Sequence, residues 1–423
     1  MAARRVVILG AGTGGTIAAN RLRCRYTPEE VRIDVVDRDD RHLYQPGLLF
    51  VPFGLADPAR IVRPRRRQLR PGIAFHEDEV DAVALGDREV RLASGRALPY
   101  DLLVVATGAA LLPEETEGLT GDGWNERVFT FYTLEGAAAL RDALARFDGG
   151  RLVVNLVDMP IKCPVAPLEF AFLVDWYLRE RGVRGRTDLV YATPLDGAFT
   201  KPVASARLAG LLAAKDVELV TEFNAGAVDG SRGVLESYDG RELPFDLLVT
   251  VPLHGGAPYV DRSPGLGDAL GFVPTDPGTL QAEAAPEVFA LGDATALPIS
   301  KAGSVTHFEG EVLAENVARA LAGEELRPRY DGHANCFVET GFGRALLIDF
   351  NYETEPLPGR FPTAAGPLPL LRESRLNHRA KLLFERIYWH GLLPGRDLPG
   401  IGPTMPRAGK DYAAASAERE ETR

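Results

Sequence analysis

The chain has 423 residues, 45% of them hydrophobic and 25% charged, with a formal net charge of −11 at pH 7. That length suits two or three domains with a sizeable core, and the acidic balance argues against a general nucleic-acid role, which needs clustered positive charge. Three cysteines, Cys24, Cys163 and Cys336, are too few for a structural disulfide framework, and no apolar run is long enough to predict a membrane-spanning helix.

In chain order, Arg5-Val6-Val7-Ile8-Leu9 reads as a short buried strand, Gly10-Ala11-Gly12-Thr13-Gly14-Gly15 as a turn, and Thr16 to Leu22 as a helix. A lone GxGxxG is weak evidence. This one has a strand before it, a helix after it, and a second strand, Val31 to Val36, that ends in Asp37. In that setting Gly10 makes the turn, Gly12 admits a pyrophosphate, and Gly15 lets helix and strand pack closely. The helix N-terminus offers its amides to phosphate, and Asp37 accepts hydrogen bonds from ribose hydroxyls. Cys24, at the end of this helix, reads as a packed or incidental thiol. The basic run from Arg60 to Arg70 is either a solvated face or a patch turned toward anionic lipid or an acidic partner. Val80 to Leu92 reads as paired strands, and Tyr100 to Ala109 as another buried strand that closes on Thr107-Gly108. Glu287 to Ala294 ends in Gly292-Asp293, where the glycine permits close approach and the aspartate suits a ribityl hydroxyl.

These three elements together resemble the two-dinucleotide-binding-domain flavoproteins, and the third selects FAD over NAD. The resemblance implies an α/β fold of two Rossmann-like domains, the second inserted in the first. Residues 1–115 and 270–330 would form the FAD domain, and 116–269 a second Rossmann-like domain without an NAD fingerprint. Residues 331–405 would be a C-terminal membrane-facing region, and 406–423 a disordered tail. The loop from His42 to Phe50 would lie near the flavin ring. Phe245 to Pro252 is a twin of the strand at 100–109, the weak internal repeat expected of a duplicated architecture.

The inserted part lacks what a nicotinamide site needs. A fingerprint is expected near 157–162, but the sequence there is Val157-Asp158-Met159-Pro160-Ile161-Lys162, without a glycine. The next strand, Asp188 to Thr193, ends without an acid. Instead Cys163 stands on proline-stiffened backbone, with Glu169 six residues on at the start of a helical run. A thiol redox site is therefore expected where NADH would otherwise bind.

Cys163 with Glu169, Asp293 followed by Pro298-Ile299-Ser300-Lys301-Ala302-Gly303, the second cysteine Cys336, and Phe384 to Trp389 carry a narrower resemblance. They resemble the sulfide:quinone oxidoreductases and their relative, the flavin subunit of flavocytochrome c sulfide dehydrogenase, over most of the chain to about Pro394. That resemblance implies that Cys163 and Cys336 form a redox pair beside noncovalent FAD. Hydrosulfide would attack the pair, Cys163 would carry the persulfide, and Cys336 would pass electrons to the flavin and on to a quinone. FAD would be held by Gly10, Gly12, Gly15, Asp37, Thr107, Gly108, Gly292, Asp293 and Lys301. Glu169 would shuttle protons, Lys162 and Lys301 would supply a positive field for the thiolate, and Lys381 would lie near the quinone. Lys301 also has a plain reading, as a surface lysine. No metal site is assigned.

The sequence departs from those relatives in two places. Tyr132 stands where many carry a third cysteine, so two thiols are expected. Gly197-Ala198-Phe199 replaces a Gly-His-Phe, leaving His254 or His307 as substitutes. Near the C-terminus, Leu376, Ala380, Leu383, Phe384, Ile387 and Tyr388 recur at helical spacing beside Arg375, Arg379 and Arg386, and Trp389, Leu392 and Leu393 extend the apolar surface. Such a helix either packs on its own core or lies in a membrane interface, where quinone is reached. The expectation is a cytoplasmic, peripheral membrane enzyme with sulfide and quinone as partners; a homo-oligomer is compatible with the sequence. The rival readings are a single-subunit NADH:quinone oxidoreductase and a non-enzymatic flavin- and sulfur-binding protein.

Overall fold

The computed structural model describes residues 3–398 and 400–412. In chain order the strands that position the site begin with β1 (Arg4–Leu9), β2 (Val31–Asp37), β3 (Ile73–Glu77) and β4 (Leu102–Val105). They continue with β5 (Val128–Phe129), β6 (Gly150–Leu156), β7 (Thr187–Ala192), β8 (Glu218–Val220), β9 (Leu247–Val251) and β10 (Val288–Ala290). The last are β11 (Ala334–Gly341), β12 (Arg344–Phe350), β13 (Gly359–Phe361) and β14 (Leu368–Leu370). The helices are α1 (Thr13–Arg25), α2 (Leu134–Arg146), α3 (Ala166–Glu180), α4 (Pro202–Ala214), α5 (Gly303–Ala322) and α6 (Arg375–Ile387).

Two parallel sheets dominate. The first runs in the order β10-β4-β1-β2-β3 and the second β5-β9-β6-β7-β8. Val6 to Leu9 and Leu102 to Val105 are apolar at every position because helices or loops cover both faces, as a parallel sheet requires. The duplicated strands occupy equivalent places: β4 pairs with β1 in the first sheet, and β9 with β6 in the second. The chain leaves the first sheet after β4, builds the second, and returns through β10. A short ribbon, Ala110–Leu112 antiparallel to Leu253–Gly255, ties the outgoing and returning segments together.

The C-terminal region is an antiparallel hairpin, β11 with β12, laid against α3 and covered by α6. Among the described residues no helix is long and apolar enough to cross a membrane.

Three expectations are corrected. Trp389, Leu392 and Leu393 are buried, not an extension of an apolar surface. Tyr388 bonds Thr13 Oγ1 and His42 Nε2, both at 2.7 Å, and Asn20 Nδ2 donates to Leu393 O, so this segment closes over the first fold. The expected tail at 406–423 is ordered over its first residues. Lys410 Nζ reaches Asp349 Oδ2, Arg360 N donates to Gly409 O, and Asp411 N donates to Pro358 O. Its remainder, 413–423, lies outside the described residues. Finally, the basic run at 60–70 is a solvated face only in part: Arg60, Arg66 and Arg67 are exposed, while much of its charge meets partners within the chain. Arg65 pairs with Asp37 and Asp39, Arg66 with Asp40 and Glu77, and Arg63 lies 4.1 Å from the centre of the Trp389 ring.

Candidate active site

The dinucleotide cradle is built by its glycines. Gly10 has a φ of +91°, and a Cβ on it would meet Ala106 O at 2.5 Å, so only glycine makes this turn. A Cβ on Gly15 would lie 1.8 Å from Gly10 O, which is the close helix–strand packing the motif demands. A Cβ on Gly12 would meet nothing within 4 Å. Gly12 is also the N-cap of α1, and no side chain caps that end. An open position in front of unpartnered helix amides is a ready anion site. Asp37 is anchored at the end of β2 by Ala11 N, at 2.7 Å, and by Arg65.

On the other side of β4, Gly292 turns with a φ of +70°, and Asp293 follows it into the interior. The Asp293 carboxyl has no hydrogen-bond or salt-bridge partner among the described residues. Burial raises its pKa, opposed by Lys301 and Lys162. A half-buried carboxyl without a protein partner, facing the end of a phosphate cradle, fits the ribityl arm of a flavin dinucleotide. Thr107 and Gly108 lie just beyond β4, with Thr107 Oγ1 3.3 Å from the Tyr259 hydroxyl. Lys301, expected to contact cofactor or to lie on the surface, is buried. Its ammonium donates to Asp293 O at 3.0 Å and Thr295 O at 2.7 Å, and it lies over the Phe272 ring. It therefore braces the turn that aims Asp293.

The thiol site is assembled from three distant parts of the chain. Cys163 sits in the turn between β6 and α3 with a φ of +49°, a strained position for a residue other than glycine. The surroundings hold it there: Cys163 N donates to Lys301 O at 2.6 Å, and the Tyr132 hydroxyl donates to Lys162 O at 2.8 Å and Cys163 O at 3.3 Å. Cys336 lies on β11, which packs against α3. Both cysteines are free, and they are close enough that a charge on one raises the pKa of the other.

Glu169, in the first turn of α3, is buried rather than solvated. It accepts from Glu339 N at 2.7 Å and from Lys381 Nζ. Lys381, expected near the quinone, reaches inward from α6 and donates also to Phe337 O at 3.2 Å. Burial pushes the Cys163 thiol well above its ordinary value, with Glu169 and Cys336 adding to the effect, and Cys336 goes up to about 12 for the same leading reason. In both, the opposing charge is Lys381. This corrects the expected source of the positive field. Lys162 has its own pKa lowered by burial and faces Asp293, while the Lys301 ammonium is occupied by carbonyls.

The hairpin that carries Cys336 is clamped from behind. Asp349, paired with Asn335 across the hairpin, binds His333 Nε2 at 2.9 Å and Lys410 Nζ, and His333 Nδ1 lies 2.7 Å from Gly402 O. Of the two candidate histidines, His254 is at the site and His307 is not. His254 stands edge-on to Tyr132 with ring centres 5.6 Å apart, and its Nδ1 donates to Pro252 O. Its Nε2 is buried without a partner among the described residues, and burial holds the ring neutral, with the pKa down to about 3. His307 answers instead to Arg21 and Asp397, near the C-terminal closure.

The family described as pyridine nucleotide-disulphide oxidoreductase matches residues 4–155. The mitochondrial sulfide:quinone oxidoreductase of Mus musculus is 28% identical, the match covering 83% of this chain and 79% of the relative. That of Schizosaccharomyces pombe is also 28% identical, over 91% of this chain and 89% of the relative. The crystal structure of the sulfide:quinone oxidoreductase from Aquifex aeolicus superposes with a TM-score of 0.79, covering 93% of this chain and 92% of that one. Over most of its length the chain is similar to the sulfide:quinone oxidoreductases. At 19% identity the Aquifex likeness shows the fold, which is a flavin-binding one.

Sequence reasoning missed three residues that the fold brings to this site. Tyr132 is more than an absent cysteine, since its hydroxyl holds the Cys163 loop. Glu339 orients His378 through two contacts of 3.0 Å while its amide binds Glu169. Glu309, on α5, accepts from Gly292 N at 2.5 Å beside the Asp293 turn. None has a sequence signal, because the residue pattern does not say which side chain will meet which backbone group.

Proposed function

We propose that the protein oxidises sulfide at the Cys163–Cys336 pair, next to a noncovalently bound FAD, and passes the electrons to a membrane quinone. The observation that carries this reading is the meeting of Cys163, Cys336, Glu169 and Lys381 in one buried site. It lies where a nicotinamide fingerprint would otherwise stand: the turn after β6 has no glycine, and the strand after it ends without an acid. The relatives named as sulfide:quinone oxidoreductases support the same assignment.

Gly12, the amides of α1, Asp37, Thr107, Gly108 and Asp293 would hold FAD, which supplies a two-electron acceptor when bound. The chain's own part is thiol chemistry. In the oxidised pair the sulfurs are joined. Hydrosulfide attacks Cys163, forming a new S–S bond to it and breaking the bond to Cys336, which leaves as thiolate. Burial disfavours that thiolate, and the Lys381 ammonium offsets the cost. Glu169, its pKa raised by burial, stands beside both sulfurs to accept the proton from the incoming sulfide. Tyr132 and the Lys301 carbonyl keep Cys163 aimed.

Access to quinone is supported by α6. Its outer face exposes Leu376, Leu382 and Leu383 between exposed Arg375, Arg379 and Arg386, the pattern of a helix lying in a membrane interface. The inner face of the same helix carries Lys381 to Glu169, so membrane and thiol site share one element.

An anaerobic titration tests the reading. Sulfide should bleach the flavin absorbance of the wild type but not of Cys163→Ser, and NADH should leave it unchanged. Bleaching by NADH alone would replace this proposal with an NADH:quinone oxidoreductase.

A further inference from the structure

We infer that the cleft between α4 and the β13–β14 hairpin is a second binding site, for a small organic anion carrying phosphate or carboxylate groups. The cavity measures about 570 Å³, inside the range of roughly 300–1,000 Å³ usual for small-molecule sites. Its charged lining consists of arginines alone: Arg207 on α4, Arg360 on β13 and Arg372 just past β14. Among the described residues no acid and no lysine lines it. None of the three guanidinium groups has a hydrogen-bond or ion-pair partner among the described residues.

All three arginines are exposed, so solvent screens much of their mutual repulsion. What sets the cleft apart is that three guanidinium groups ring one cavity although this chain of net charge −11 has carboxylates to spare for pairing with them. It uses them so elsewhere, as in Arg65 with Asp37 or Arg184 with Asp175. The planar guanidinium fork matches phosphate and carboxylate in two-point contact. The rest of the wall is apolar, with Val203, Pro358, Leu370 and Leu371, and would pack the organic body of the ligand.

The cleft is separate from the thiol site. Leu371 N donates to Leu347 O on β12, and β12 in turn pairs with the strand of Cys336. Two strand spacings, roughly 10 Å, therefore lie between the cleft's inner wall and the strand of that cysteine. The cleft is equally distinct from the glycine cradle of the first sheet. The same chemistry comes from two sources, a free phosphorylated metabolite or a phospholipid headgroup, since Arg372 leads directly into α6.

The flavin-loaded full-length protein is titrated calorimetrically with inorganic pyrophosphate and with ADP, and sedimented with phosphatidylcholine vesicles with and without phosphatidylglycerol. The variant R207Q/R360Q/R372Q is compared with R25Q/R67Q/R146Q, which removes the same charge from exposed, unpaired arginines elsewhere. The cavity variant should weaken salt-sensitive binding of ADP or pyrophosphate by about tenfold or more, as lost charge-assisted bonds imply, with an unchanged melting temperature. The control variant should bind like wild type. If only binding to phosphatidylglycerol vesicles falls in the cavity variant, the anion is a lipid headgroup and the site stands. Absence of binding to every probe, or equal weakening in both variants, would overturn the inference. Sulfide-dependent flavin bleaching is read in parallel, so a failure here is distinguishable from a failure of the proposed activity.

Discussion

Replacing Glu309 with glutamine should stabilise the protein, by an amount that grows with pH. Glu309 is fully buried on α5. Its Oε2 accepts from Gly292 N, while Oε1 has no partner among the described residues. Burial is the main reason its pKa rises from 4.5 to about 8. Between those two values the unfolded chain has lost the proton that the folded protein keeps. Folding must therefore take up a proton, and stability falls as pH rises through this window. At pH 7 the penalty is about 3 kcal/mol, from roughly 2.5 pH units above the unfolded value at ~1.4 kcal/mol each. Glutamine copies the protonated acid, with a carbonyl for the Gly292 amide and an NH₂ in place of the acid O–H. Urea unfolding of wild type and Glu309→Gln from pH 4.5 to 8 should show near-equal stability at the acid end and a widening advantage for the variant above it. A pH-independent difference, or a variant less stable at pH 7, would refute the reasoning.

Further outcomes follow from the same geometry. Gly15→Ala should fail to fold or lose α1 packing, since its methyl would sit 1.8 Å from Gly10 O, whereas Gly12→Ala should fold with an unchanged melting temperature and lose flavin on gel filtration. Lys381→Met should cost about 3–5 kcal/mol in urea unfolding by stranding the buried Glu169, and Glu169→Gln/Lys381→Met should recover most of that loss. The single variant should also slow iodoacetamide alkylation of both cysteines, because Lys381 is the charge that lowers their pKa values. Lys410→Ala should destabilise the protein by about 2–4 kcal/mol, because the buried Asp349 keeps only His333 as a partner. A truly disordered tail would show no change in the same denaturant melt.

The glycine cradle, the two acids that end β2 and follow Gly292, the duplicated strands and the missing nicotinamide fingerprint were all legible along the chain. Apart from the repeat of the two strands, each depends on spacing within some forty residues, where the backbone itself imposes geometry: a turn that only glycine makes, an apolar run that only a doubly covered strand needs. The position of Cys163 before a helix was legible for the same reason. The pairing of Cys163 with Cys336 was reached only through resemblance, since no local rule joins residues so far apart.

Tertiary structure decided everything that depends on who is buried beside whom. It turned Trp389, Leu392 and Leu393 inward, took Lys301 off the list of free cations, and set Lys381 on Glu169. It also drew residues 406–412 onto the Cys336 hairpin and left three arginines facing one cleft without acids among the described residues. The reason is physical. Pattern along the chain fixes which face of an element is apolar, but the sign and size of a charge effect depend on desolvation and on partners within a few ångströms, which only the folded chain brings together.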